Sequence, residues 1–220
     1  MKTFMIHGPS GSGKDTQINK LVEKFPNKFE RIATGDMFRT NFQQRTADGL
    51  EAHKYWGEGK WVPADLVYKM LAKWIQLFSE KEDWIFVSAV RAPSQIPLFD
   101  SLLQKYGREL DLFIHLKLSE EKAVERMSLR KICPVCGAIY HSKYKPEKKE
   151  GFCDNDDGKL FPREDDKPEI VKVRIQEYNR TIEPILAEYQ SRGVLKEIDA
   201  DQSIEAIHEE FIEVMDLGKD

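Results

Sequence analysis

The 220-residue chain carries 34 Lys and Arg against 38 Asp and Glu, a formal charge of -4, and is 40% apolar, the balance of an enzyme able to bury one full core. That acidity excludes a dedicated nucleic-acid binder, whose phosphate contacts need a basic face, and no run of about 18 apolar residues offers a membrane span. Cys133, Cys136 and Cys153 are odd in number and clustered, which suits a metal in a reducing compartment; with an N-terminal apolar stretch too short for a signal peptide, a cytosolic protein is expected.

In chain order, Lys2 to His7 predicts a short buried strand running into Gly8-Pro9-Ser10-Gly11-Ser12-Gly13-Lys14-Asp15-Thr16-Gln17. Glycines let backbone N–H groups converge on an anion where a Cβ would obstruct it, and Lys14 adds a point charge for phosphates. Ile18, Leu21, Val22 and Phe25 have helical spacing, so Lys14 to Phe25 predicts a helix whose positive end faces the same anion. Gly-x4-Gly-Lys between strand and helix is a nucleotide phosphate loop, making Gly11, Ser12, Gly13, Lys14, Asp15 and Thr16 candidate ATP-binding residues. Asp15 stands where Ser or Thr usually follows the lysine. It reads either as a first-turn carboxylate or as altered metal or phosphate handling.

Phe29 to Ala33 predicts a second strand delivering Thr34-Gly35-Asp36-Met37-Phe38-Arg39, with Thr34 able to cap the next helix and Asp36 and Arg39 on one face. Beside a phosphate loop, that segment resembles the acceptor-phosphate site of adenylate kinases. Residues 40 to 62 predict short helices too polar to be core; in the family this is the small domain that closes over the acceptor nucleotide. The resemblance assigns Thr34 and Arg39 to AMP, together with the backbone of Lys60, Trp61 and Val62. Pro63 suits the first turn of a helix from Ala64 to Phe78 that buries Leu66, Met70, Leu71, Trp74, Ile75 and Phe78. Trp61 and Trp74 read as packing residues.

Trp84 to Val90 is a continuous apolar run, as in a strand buried on both faces. Adenylate kinases usually follow this strand with Asp-Gly-Phe-Pro-Arg and a Gln four places on. Here Arg91 and Gln95 keep the spacing, and Ser88 replaces the aspartate. The resemblance places Arg91 on the acceptor phosphate and Gln95 on the acceptor base; Gln95 alone reads equally as a solvated helix start. An aspartate at position 88 would hold water on Mg2+, so Asp15 or Asp36 is expected to support the metal instead. Leu110 to Leu118 predicts a fourth strand, and Ser119 caps a helix running to about Arg130 with Glu120 and Glu121 in its first turn. Arg126 and Arg130 match family positions at the donor adenine and donor phosphates, and Tyr140 a further ATP contact.

Cys133-Pro-Val-Cys136-Gly137 is a metal-knuckle turn, and Cys153 with Asp156 repeats its spacing, completing a tetrahedral set for one structural zinc. His141, Asp154 and Asp157 are also within reach in sequence as a fourth ligand. The stretch from Ile132 to Arg163 resembles a zinc-bearing adenylate kinase lid. After Asp165 and Asp166, which in the family orient the lid arginines, Pro168 begins a helix to about Gln190, kinked near Pro184 and carrying Arg174. Gly193 ends it, Val194 to Ile198 predicts the fifth strand, and Ser203 to Leu217 the last helix.

Five alternations of strand and helix predict an α/β three-layer phosphate-loop fold with a five-stranded parallel sheet. It would form one domain over 1-220, with an acceptor flap inserted at 33-62 and a lid at 126-166, both at the strands' carboxyl edge. The resemblance implies ATP + AMP = 2 ADP with Mg2+, in a monomer. Lys14, Arg39, Arg91, Arg130, Arg163 and Arg174 would be catalytic, with Arg163 and Arg174 also on AMP. With Mg2+ they bring roughly eight positive charges to roughly six negative ones. Two alternatives stay open: a kinase for another nucleoside monophosphate, since the altered turn at Ser88 borders the acceptor base, and a weakly catalytic nucleotide-binding regulator.

Overall fold

Residues 1–163 and 166–217 are described in the computed structural model of the chain. Thr3–His7 (β1) is buried at every position, as a central strand covered on both faces must be. Around it lie Phe29–Ala33 (β2), Asp83–Val87 (β3), Leu112–Lys117 (β4) and, beyond the lid, Leu195–Asp199. All pair in parallel, in the order β2, β3, β1, β4 and then the Leu195–Asp199 strand. Ile6 lies level with Val87 on one side and Ile114 on the other, so the central strands deliver their following loops to one edge.

Helices cover both faces. One core holds Ile18 and Leu21 of Lys14–Lys24 (α1) and Phe211 of the last helix against Phe4, Ile6, Ile85 and Ile114. The other packs Met5, Trp84, Phe86 and Phe113 against Thr34–Gln43 (α2), Ala47–Trp56 (α3), Ala64–Trp74 (α4) and Ile96–Gln104 (α5). Fully burying one such Phe or Leu contributes about 1.5–3 kcal/mol. Ala52 and Val62 are buried in that second core, so the segment read as too polar for it is anchored there by its apolar minority.

Glu120–Ser128 (α6) leads into the segment read as a lid, which forms a small antiparallel sheet of Arg130–Ile132 (β5), Ile139–His141 (β6) and Phe161–Pro162 (β7) that the apolar pattern did not announce. Pro168–Ser191 (α7) returns to the main sheet, followed by β8, the Leu195–Asp199 strand, and Ile204–Val214 (α8).

The expected elements differ mainly at their ends. The third strand stops at Val87, three residues short of Val90, because Ser88 has φ +52° and a left-handed residue cannot extend a strand. The helix from Ala64 is α-helical only to Trp74 and tightens into a 3-10 turn over Ile75–Leu77. α6 ends at Ser128, which puts Arg130 on a lid strand. Ser119 and Ser203 accept from the backbone N–H three residues on, as capping serines do, and Gly193, φ +73°, follows the end of α7. Thr34 does not cap. It lies inside the first turn of α2, with Ala33 as the cap residue.

Candidate active site

At the end of β1 the chain turns through the glycine loop and enters α1 at Gly13, whose φ of +86° is a conformation other residues adopt only with strain. The Lys14 ammonium donates to the carbonyls of Gly8 at 2.8 Å and Pro9 at 2.7 Å, and to Ser12 Oγ at 3.2 Å. Burial pulls its pKa down to about 7; Asp15 opposes the change, while Arg91, Arg174 and Arg130 reinforce it. The loop floors a cavity of about 550 Å³ that Thr34, Arg39, Trp61, Arg91, Arg126, Arg130, Arg163 and Arg174 also line. Gly11, Ser12, Asp15, Thr16, Lys60, Val62, Gln95 and Tyr140 line it as well.

Past the end of β3, the buried Thr34 hydroxyl donates to the Ser88 carbonyl at 3.2 Å, and Arg91 Nε donates to that same carbonyl at 3.2 Å. The left-handed turn at Ser88 therefore ties β3's end to two candidate AMP residues. Gln95 is 3% exposed, which removes the solvated reading, and its Oε1 accepts from the Arg91 N–H at 2.6 Å. The Arg91 guanidinium also lies 4.9 Å from the centre of the Trp61 ring, and the Trp61 indole N–H donates to Thr181 Oγ1 on α7 at 3.4 Å. Asp36 accepts from Arg39 Nη2 at 2.5 Å.

Beside the glycine loop, Arg126 reaches the Gly11 carbonyl at 3.5 Å and stands 5.2 Å from the Tyr144 ring. Arg130 forks onto Asp166, with Nε to Oδ2 at 2.6 Å, and Arg174 Nη1 lies 3.6 Å from the same carboxylate. Asp166 thus orients two lid-side arginines; Asp165 lies outside the described residues. Tyr140, read as an ATP contact, turns its hydroxyl away toward the lid's cysteines, 3.3 Å from Cys153 Sγ and accepting the Asp154 N–H at 2.7 Å.

Cys133, Cys136, Cys153 and Asp156 bring one ligand atom each to within 4.8 Å of one another. Cys133 Sγ lies 3.3 Å from Asp156 Oδ1, and Cys136 Sγ 3.5 Å from Cys153 Sγ. Tetrahedral bonds of 2.0–2.3 Å place neighbouring ligand atoms about 3.3–3.8 Å apart, so this set fits one metal ion. His141 is not part of it: its Nδ1 accepts from the Lys143 and Tyr144 N–H groups. Asp154 caps the Lys148 N–H instead.

Sequence reasoning missed Arg31. Its guanidinium pairs with both Asp15 and Asp36, so the two carboxylates expected to support a metal are engaged by an arginine. The available signal was a lone arginine beside Ile32 and Ala33 in a strand. It also passed over His7, buried and neutral beneath the loop, stacked between Phe113 and Tyr178.

A family model described as adenylate kinase matches residues 6–194. The chain is 36% identical over 217 residues to the adenylate kinase of Acholeplasma laidlawii, covering 98% of this chain and 99% of that protein. It is 35% identical over 213 residues to that of Pyrococcus abyssi, covering 97% and 95%, and 34% to that of Staphylococcus epidermidis, covering 97% and 98%. Among the described residues, no helix is long and apolar enough to cross a membrane.

Proposed function

The chain belongs to the adenylate kinase family and catalyses ATP + AMP = 2 ADP; from that premise we propose how its side chains divide the reaction. The carrying observation is that Lys14 and the arginines 39, 91, 130, 163 and 174 line one cavity with the glycine loop, though they come from six separate places in the chain. The loop's N–H groups and Lys14 hold the donor β and γ phosphates, and Arg126 covers the donor base. Thr34, Gln95 and the backbone of Lys60 to Val62 surround the acceptor base, while Arg39 and Arg91 grip its phosphate.

Arg130, Arg163 and Arg174 bring charge to the phosphoryl group in flight. Phosphoryl transfer needs no covalent enzyme intermediate, because placement and charge stabilisation carry it, and a closed cavity keeps water from competing as acceptor. The family uses Mg2+ with ATP, and when bound the ion neutralises phosphate charge. Asp15 and Asp36 both pair with Arg31, so any support their carboxylates would give the ion would be shared with that guanidinium.

The Cys133, Cys136, Cys153 and Asp156 set holds one structural zinc, a reading supported by the convergence of its four ligand atoms, two of its thiols, Cys133 and Cys153, lying in one small apolar cluster with Tyr140 and Leu160 and the third, Cys136, being exposed. Reduced thiols in that role fit the cytosol. A site assembled wholly within one chain supports a monomer of 25.6 kDa. Steady-state kinetics test the assignment. Lys14→Ala is expected to lower kcat about 10³-fold, because the charge acts most strongly in the transition state. Among AMP, GMP, CMP, UMP and dTMP, AMP is expected to be the best acceptor. An unchanged kcat in the variant rejects the donor site, and a better acceptor than AMP rejects the acceptor assignment.

A further inference from the structure

Arg31 has no part in the division of labour above, yet it stands where the donor and acceptor halves of the site meet. It projects from β2 and lines the cavity, with its side chain 26% exposed. One Nη donates to Asp15 Oδ1 on the first turn of α1, next to Lys14, and the other to Asp36 Oδ2 on the first turn of α2. Asp36 uses its other oxygen for Arg39 Nη2 at 2.5 Å. Four charged groups therefore alternate in sign from the phosphate loop to the acceptor arginine. Burial would raise the Asp15 carboxyl's pKa, but Arg31, with Lys14 behind it, holds the value below the usual one, so the bridge is charged at neutral pH.

A guanidinium fork fixes two carboxylates at a set separation and angle, which an ammonium cannot do. Resting on the reading of Arg39 as a ligand of the acceptor phosphate, we propose that Arg31 is a positioning residue. Its bridge from Asp15 to Asp36 sets the orientation of Arg39, so that acceptor affinity depends on a residue of the donor loop. Without the bridge, both oxygens of Asp36 turn to Arg39 and draw its fork away from the acceptor phosphate, and Asp15 is left as an unpaired negative charge beside the loop.

The test measures KM for AMP at saturating MgATP, with kcat and melting temperature recorded for each variant. Arg31→Gln is expected to raise KM for AMP about tenfold with a smaller change in kcat, the scale of a modest misplacement of a binding group. Asp15→Asn, which keeps the shape and leaves Arg39 untouched, is expected to raise it by a similar factor, and the double variant by no more than the larger single effect. Arg31→Lys keeps the charge without the fork and is expected to stay impaired. The inference is overturned if Arg31→Gln and Asp15→Asn leave KM for AMP within about twofold of the parent while Arg39→Gln raises it. Full recovery in Arg31→Lys overturns positioning in favour of charge alone. If Arg39→Gln itself leaves KM for AMP unchanged, the acceptor-site reading fails first and takes this inference with it.

Discussion

At Lys14 a single ionisation joins the fold to the chemistry. In the free protein, burial brings the ammonium's pKa from 10.5 to about 7, so above neutrality a growing share of molecules holds a neutral lysine. The unfolded chain keeps that proton up to about pH 10.5, so the unfolded state binds more protons between the two values, and stability at this site rises with pH across that window. Donor binding has the opposite sign. Phosphates favour the charged form, so between about pH 7.5 and 9 binding should take up close to one proton and log Kd should rise with pH at a slope approaching one. Titration calorimetry of ATP in two buffers of different ionisation enthalpy reads that uptake directly. It should vanish in Lys14→Met, and zero uptake in the parent would show that Lys14 stays charged throughout. The place of Lys14 on the cavity floor was legible from its motif because Gly8 to Lys14 is a local pattern fixed by glycine spacing. Arg31 was not, because its partners are 16 residues before it and 5 after it, and only the sheet brings all three together.

Among the elements, the lid is the one that folding propensity alone explains least. β5, β6 and β7 have two or three residues each, too short to be stable as isolated pairs, and the lid's own apolar cluster is Cys133, Tyr140, Cys153 and Leu160, with Ala138 against it. Two of those four buried residues are metal-ligand candidates, so binding free energy and folding free energy coincide here. Metal analysis should therefore return one zinc per chain. Cys133→Ala should lose it and lower the melting temperature by about 5–10 °C, equivalent to about 2–3 kcal/mol in a chain of this length, while KM for AMP stays near the parent value. His141→Ala should retain the metal, since Nδ1 of that ring already serves two N–H groups of its own turn. Zinc retained in Cys133→Ala and lost in His141→Ala would reverse the ligand assignment. The cysteine pattern made the convergence of Cys133, Cys136, Cys153 and Asp156 visible in sequence, because ligand spacing is set by turn geometry. The lid strands were not visible, because a two- or three-residue strand has too few positions to show an alternation.

Across the whole molecule, the decisive arrangement is the seam between the turn at Gly59 to Trp61, in the proposed acceptor flap, and α7, and no local pattern encodes it. Alternating strands and helices made the parallel sheet legible, since each period of two or 3.6 lies within a few residues. Contacts between a turn near residue 60 and a helix more than a hundred residues later depend on how the whole sheet is ordered. Gly59 shows the seam most sharply. Its φ is +80°, and a Cβ there would stand 2.8 Å from the Ile170 carbonyl oxygen and 3.1 Å from Arg174 Cγ, both on α7. Two residues on, Trp61 bonds Thr181 of the same helix and lies under Arg91, so flap, β3 loop and α7 share one surface in the cavity. Gly59→Ala has two costs. The left-handed φ strains any residue with a Cβ by about 1–2 kcal/mol, and the clash is with backbone, which cannot swing aside. The turn must then lift from α7, shifting Lys60 to Val62 and the Trp61 face that supports Arg91. Such a displacement should raise KM for AMP about tenfold while KM for ATP changes little, because the phosphate loop is not part of the seam. Gly193→Ala separates the two costs, since that residue has φ +73° with nothing within 4 Å of an added Cβ and so carries the strain without the clash. Both variants should lose stability, and only Gly59→Ala should lose acceptor affinity. Equal KM for AMP in the two would mean that the flap reaches its working position without resting on α7.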